Sequence, residues 1–223
     1  MNKKIVFMGT SNFAVPILKS LYQNGFPVSI VYTQPPKKSN RGLKVNKSPI
    51  HIFSETLSYE VRTPITLKNN FEEKEIFQKL EADLVIVVAY GHIIPKDILE
   101  LSKHGFINIH ASQLPKWRGA APIQRSLMNQ DKEIGISIMK INENLDEGPV
   151  YNTFSTKIKD NENASDLSIR LANIASEKIL NCLEDIFNNK AVFHEQDHNK
   201  ATYANKIEKF EGKILWEQDA KEI

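Results

Sequence analysis

Leu84-Val85-Ile86-Val87-Val88-Ala89 is an unbroken run of six apolar residues, and its reading decides the architecture. A strand with one face in water alternates apolar and polar residues. A run without alternation belongs to a strand covered on both faces, as in a parallel sheet flanked by helices. Outward from it, Lys4 to Met8 and Val28 to Thr33 read as further strands, with a helix from Phe13 to Gln23 between them. Phe13, Ile17, Leu18 and Leu21 fall at helical spacing, and Asn24-Gly25 supplies a stop. Phe106 to His110 and Gly135 to Ile141 read as later strands, and helical segments fall at about 49–58, 72–80, 95–102 and 121–129. The alternation predicts an α/β fold: an open, mostly parallel twisted sheet flanked by helices, Rossmann-like in plan. Such sheets place their sites at the carboxyl ends of the strands.

Ser165 to Phe187 reads as a long amphipathic helix, with Leu167, Leu171, Ala175, Ile179 and Leu183 in one stripe. Cys182, the only cysteine, lies beside that stripe and reads as core; internal disulfides and cysteine-rich zinc sites are excluded, and a reducing cytoplasm is the expected setting. The organisation expected is a catalytic domain over 1–189, then a polar C-terminal linker over 190–223 holding the start of a truncated further domain. Ile214, Leu215 and Trp216 call for burial there, either against the catalytic domain or within that further one. No apolar run approaches the roughly 18 residues of a membrane helix, and the N-terminal run stops at Gly9, short of a signal peptide.

The net charge of +2 conceals an asymmetry. Residues 1–54 hold eight Lys or Arg and no acid, while the remaining 169 hold 21 basic and 27 acidic groups. Five of the eight cations fall between Lys37 and Lys47, which suggests a polyanion contact.

The segment Phe106-Ile-Asn108-Ile-His110-Ala-Ser112-Gln-Leu-Pro115-Lys-Trp-Arg118-Gly119 carries the chemistry. In a strand, Asn108 and His110 share one face while Ile107 and Ile109 pack on the other. A sheet buried by helices has no structural need for an amide and an imidazole at a strand's end, and together they offer hydrogen-bond donors and proton exchange near neutral pH. After the strand 135–141, Asn142-Glu-Asn-Leu-Asp146-Glu-Gly148-Pro149 reads as a turn. If the two strands are neighbours, Asp146 returns to Asn108 and His110, where a carboxylate orients the ring and complements its charge. Taken singly, each residue has a plainer reading: a structural histidine, a turn asparagine, a solvent-facing carboxylate. No G-x-G-x-x-G fingerprint or metal-ligand spacing is present, so neither a bound nicotinamide or flavin nor a catalytic metal is expected.

This segment resembles the signature of the folate-dependent formyltransferases: Asn-x-His-x-Ser-Leu-Leu-Pro, an Arg-Gly, and a catalytic Asp further on. The match holds at Asn108, His110, Ser112, Leu114, Pro115, Arg118, Gly119 and Asp146, and departs at Gln113, where the family has Leu. The resemblance implies formyl transfer from 10-formyltetrahydrofolate, with Asn108, His110 and Asp146 catalytic. It implies folate binding by Ser112, Gln113, Leu114 and Pro115, with Val88, Ala89, Tyr90 and Gly91 as a second wall. Phe7-Met-Gly-Thr10, Tyr32-Thr-Gln-Pro35, Val88-Ala-Tyr-Gly91 and Arg118 to Arg125 look like the members that act on aminoacyl-tRNA. So does the basic stretch, in which Lys37, Lys38, Arg41, Gly42 and Lys44 would meet the acceptor stem. The acceptor implied is the methionine amine of initiator methionyl-tRNA, formylated for translation initiation by a monomeric enzyme. The alternatives are a sugar-nucleotide or ribonucleotide amine as acceptor, or a truncated fragment with weak tRNA binding.

Overall fold

The computed structural model describes residues 3–39, 44–214 and 216–219. Its centre is a seven-stranded sheet built from β1 (Ile5–Gly9), β2 (Val28–Tyr32), β5 (Val61–Arg62), β6 (Leu84–Val88), β7 (Phe106–His110), β8 (Glu133–Lys140) and β9 (Val150–Lys157). The spatial order is β5-β2-β1-β6-β7-β8-β9. All neighbours from β5 to β7 pair parallel; β8 runs antiparallel to β7, and β9 antiparallel to β8. β6 is buried along its whole length, as its unbroken apolar run requires.

Helices cover both faces. On one side α1 (Val15–Gln23), α2 (Pro49–Thr56), α5 (Pro122–Met128) and α6 (Ala164–Phe187) pack on Ile5, Phe7, Ile86, Ile107 and Ile109. On the other, α3 (Phe71–Leu80) and α4 (Lys96–Leu99) bring Phe77 and Ile98 against Val6, Met8, Val85 and Phe106. The predicted stripe of α6 is buried throughout, and Cys182 lies with it in the core, where burial pushes its thiol up to about 12. Asn163 caps α6 by accepting from the N–H groups of Ser165 and Asp166.

Three expectations change. The helix expected at 95–102 ends at Leu99, because Lys103 and His104 donate backbone N–H groups to Ala82 and Asp83 and draw the chain into β7. β9 has no counterpart in the sequence reading: Val150-Tyr-Asn-Thr-Phe-Ser-Thr-Lys157 is half polar because it forms the outer edge of the sheet. The basic stretch is a hairpin of β3 (Lys37–Ser39) and β4 (Lys44–Asn46), separate from the main sheet. Among the described residues no helix is long and apolar enough to cross a membrane. Ile214 and Trp216 are exposed rather than docked on the domain; Leu215 lies outside the described residues.

Ile179→Ala, in the buried stripe of α6, is expected to lower unfolding stability by about 2–5 kcal/mol. Urea denaturation followed by circular dichroism measures it; an unchanged midpoint would contradict the packing described.

Candidate active site

β7 delivers two side chains by strand parity. Ile107 and Ile109 enter the core under α6, so Asn108 and His110 face the other way, at the carboxyl end of the sheet. The third group arrives by a longer route. Because β8 is antiparallel, Lys140 stands opposite Ile107, at the start of β7. Residues 141–149 must therefore double back along β7 to bring Asp146 to its far end. The Lys140 N–H donates to the Pro149 carbonyl at 2.8 Å to close this loop. At Gly148 any Cβ would run into the Lys140 carbonyl oxygen, so a side chain there is excluded.

Asp146 Oδ2 accepts the Gly119 N–H at 2.8 Å and stands 3.6 Å from His110 Nδ1. Its Oδ1 lies 3.4 Å from Asn108 Nδ2, a loose contact that leaves the amide free to turn toward a substrate. His110 Nε2 lies 2.8 Å from the Trp117 carbonyl, which can only accept, so Nε2 carries the proton and Nδ1 is the ring atom presented to Asp146. The conditional reading of the sequence is thus realised: Asn108, His110 and Asp146 converge.

What holds Asp146 lies largely outside the signature's nominal functional residues. Gln196 Nε2 donates to the carbonyls of Asp146 and Gly148 at 2.9 and 2.8 Å. Gln196 Oε1 in turn accepts from Arg118 at 2.9 and 3.2 Å, and Arg118 Nη1 donates to Glu147 at 3.0 Å. The Arg118 side chain is 1% exposed, so its charge is compensated wholly within this network. Residues 190–212, within the 190–223 stretch read from sequence as linker, pack on the body of the chain, and Gln196 joins this network directly. Val150 and His194 exchange backbone hydrogen bonds, Ala204 is fully buried between Arg118 and Ala121, and Arg125 clasps Glu211 through both guanidinium Nη atoms. The stretch looks like linker because its contribution is mostly backbone, and its polar side chains coat the surface.

The loop from Ala111 to Gly119 is pinned from two sides. Ser112 Oγ donates to the Lys116 carbonyl, and Ser137 Oγ donates to the Ser112 carbonyl and accepts from Leu114 N. Asp131 receives Lys116 Nζ at 2.8 Å and Trp117 Nε1 at 2.7 Å. Burial pushes the Asp131 carboxyl up, but the hydrogen bonds from Lys116, Trp117, Asn129 and Ser126 outweigh it and hold the group down at about 2. The Leu114–Pro115 peptide bond is cis.

Of the residues assigned to folate by resemblance, Gln113, Leu114 and Pro115 are half-buried and accessible. Ser112, Val88 and Tyr90 are buried, so their side chains are closed to a ligand. Ala89 and Gly91 are exposed with φ of 46° and 78°, and present backbone groups at the carboxyl end of β6. Lys37, Lys38 and Lys44 lie in the hairpin; Arg41 and Gly42 lie outside the described residues.

The fold and the converging triad define a formyl transferase, and the profile described as Formyl transferase matches residues 3–183. A methionyl-tRNA formyltransferase of Pelagibacter ubique is 62% identical over all of this chain and 72% of its own length. One from Parvibaculum lavamentivorans is 41% identical over 99% of this chain and 71% of its own. The chain belongs to the methionyl-tRNA formyltransferase family. Two solved structures share the fold. An N-formyltransferase from Helicobacter canadensis, in complex with folinic acid and dTDP-3-aminofucose, matches with a TM-score of 0.76 at 20% identity, over 99% of this chain and 77% of that one. Phosphoribosylglycinamide formyltransferase from Bacillus halodurans matches with a TM-score of 0.66 at 16% identity, over 82% and 98%.

The supports of the site lead to two expected outcomes. Gln196→Ala should leave the chain folded while formyl transfer falls about tenfold or more, since the Asp146 backbone loses its tether; activity within twofold of wild type would show that the tether is dispensable. Because the Asp131 carboxyl is depressed in the folded state, its contribution to stability is full above its ordinary value of 3.8 and is lost as pH falls through about 2. The stability gap between wild type and Asp131→Asn in denaturant titrations should therefore be flat above pH 5 or so and close on acidification. A gap that widened in acid would refute the assignment.

Proposed function

We propose that this chain transfers the formyl group of 10-formyltetrahydrofolate to the amino group of methionine on initiator methionyl-tRNA, with Asn108, His110 and Asp146 as its catalytic groups. The observation that carries the reading is their convergence at the carboxyl end of β7, with the Asp146 carboxylate 3.4 Å from Asn108 Nδ2 and 3.6 Å from His110 Nδ1.

In the reaction the amine nitrogen bonds to the formyl carbon, the bond from that carbon to the folate nitrogen breaks, the amine gives up a proton and the folate nitrogen gains one. Negative charge develops on the formyl oxygen. Asn108 Nδ2 and His110 Nδ1 supply donors to that oxygen, each commonly worth roughly 2.7–4 kcal/mol in such a setting. With Nε2 committed to the Trp117 carbonyl, Nδ1 donates only when the ring is charged, and the neighbouring Asp146 carboxylate complements that charge. Asp146 is also placed to receive the amine's proton through a water.

The half-buried loop Gln113 to Pro115 and the exposed stretch at Ala89 and Gly91 suit a flat heterocycle. The acceptor's phosphates meet the basic hairpin, whose cations add affinity by displacing counterions. All three catalytic groups come from one chain, so a monomer suffices.

Substituting His110 or Asp146 by Ala is expected to lower kcat for methionyl-tRNA formylation by about 10²–10³-fold; near-normal transfer by either variant would overturn the roles. Hairpin variants with Lys37 and Lys38 changed to Ala should raise KM for the tRNA and flatten the fall of activity with salt, leaving the folate KM alone. Failure of bulk tRNA to compete with the acceptor would instead point to a small amine.

A further inference from the structure

The hairpin leaves the body after Thr33 and rejoins it at Ser48, whose hydroxyls are 2.6 Å apart. Next to that gate stands Gln34, with both ends of its amide in use. Its Oε1 accepts from Lys37 Nζ, at the first residue of β3, and its Nε2 donates to the Gly91 carbonyl at 2.9 Å. The Gln34 backbone N–H lies 3.3 Å from Thr10 Oγ1, and that hydroxyl donates to the Tyr90 carbonyl at 2.8 Å. Two successive carbonyls in the loop after β6 are therefore held from the Gln34 and Thr10 side. The fit is close: a Cβ at Gly91 would collide with Gln34 Nε2, and φ at Gly91 is 78°. An amide suits this position because one end must accept from an ammonium while the other donates to a carbonyl; neither a carboxylate nor an ammonium does both.

We propose that Gln34 is a positioning residue that ties the base of the basic hairpin to the backbone at Tyr90 and Gly91, so that one side chain sets both the acceptor grip and the donor wall. This rests on the reading in which the hairpin meets tRNA and residues 89–91 meet the folate. Lys37 is exposed, so its ammonium is open to a phosphate while Gln34 Nε2 keeps its hold on Gly91.

Steady-state kinetics on the full chain, with each substrate varied in turn, tests the idea. Gln34→Ala should raise KM for both 10-formyltetrahydrofolate and methionyl-tRNA by about fivefold, with kcat at saturation nearly unchanged. Lys37→Met, which removes only the hairpin arm, should raise the tRNA KM alone. Gln34→Glu, which keeps an acceptor for Lys37 but loses the donor to Gly91, should raise the folate KM; it serves as the decisive variant should Gln34→Ala fail to fold. A folate KM within twofold of wild type in Gln34→Glu, or a fall confined to kcat in Gln34→Ala, overturns the proposal. Titration of the wild type with 5-formyltetrahydrofolate, followed by tryptophan fluorescence, separates the two levels. Absence of saturable binding there sinks the underlying reading, whereas saturable binding unchanged by the Gln34 variants sinks only the role of Gln34.

Discussion

The arrangement of the site hangs on one buried guanidinium. An arginine taken out of water costs several kcal/mol unless its charge and its N–H groups are matched. Arg118 is matched by the Glu147 carboxylate and the Gln196 amide, with His198 at 3.5 Å. Arg118 and these partners together belong to three separate stretches: the loop after β7, which carries Arg118, the loop between β8 and β9, and the segment after α6. Since the N–H of the next residue, Gly119, holds Asp146 itself, the requirement to satisfy one cation fixes where the carboxylate sits. No one of the three stretches can shift without leaving charge unpaired in the interior.

The sequence discloses the parts of this design that are local. β1 and β6 are legible because burial on both faces enforces apolar runs, and α6 is legible because 24 residues display a full stripe. Asn108 and His110 follow from strand parity alone. Asp146 is reachable only conditionally, because nothing in its turn announces that β8 reverses direction. Arg118 and Gln196 are 78 positions apart, and neither has a neighbourhood that marks it as buried. The same limit hides β9 and the β3–β4 hairpin, whose half-exposed, polar strands lack the signature of a covered sheet. Among the residues assigned by resemblance, Val88 and Tyr90 are buried in the cores on opposite sides of the sheet, so a contiguous stretch taken from a motif resolves into core packers at Val88 and Tyr90 and exposed backbone at Ala89 and Gly91.

The charge asymmetry acquires a location. Lys37, Lys38 and Lys44 sit on a two-stranded sheet separate from the main one, while residues 55–223 carry more acid than base. A polyanion is drawn toward the hairpin and repelled elsewhere, so the field favours approach from one side before any contact forms.

Carrying Asp146 on a loop that doubles back, rather than at the end of a strand, makes its position a matter of chain length. β8 and β9 hold one register from Glu133 opposite Lys157 to Ile138 opposite Asn152, then shift by one residue before Met139 opposite Val150, so the strands deliver the loop from defined ends. Asn142, Glu143, Asn144 and Leu145 face solvent and bear little on the packing beneath them. The loop works as a ruler: its markings can be rewritten freely, but shortening or lengthening it by one residue moves the carboxylate away from the histidine it serves.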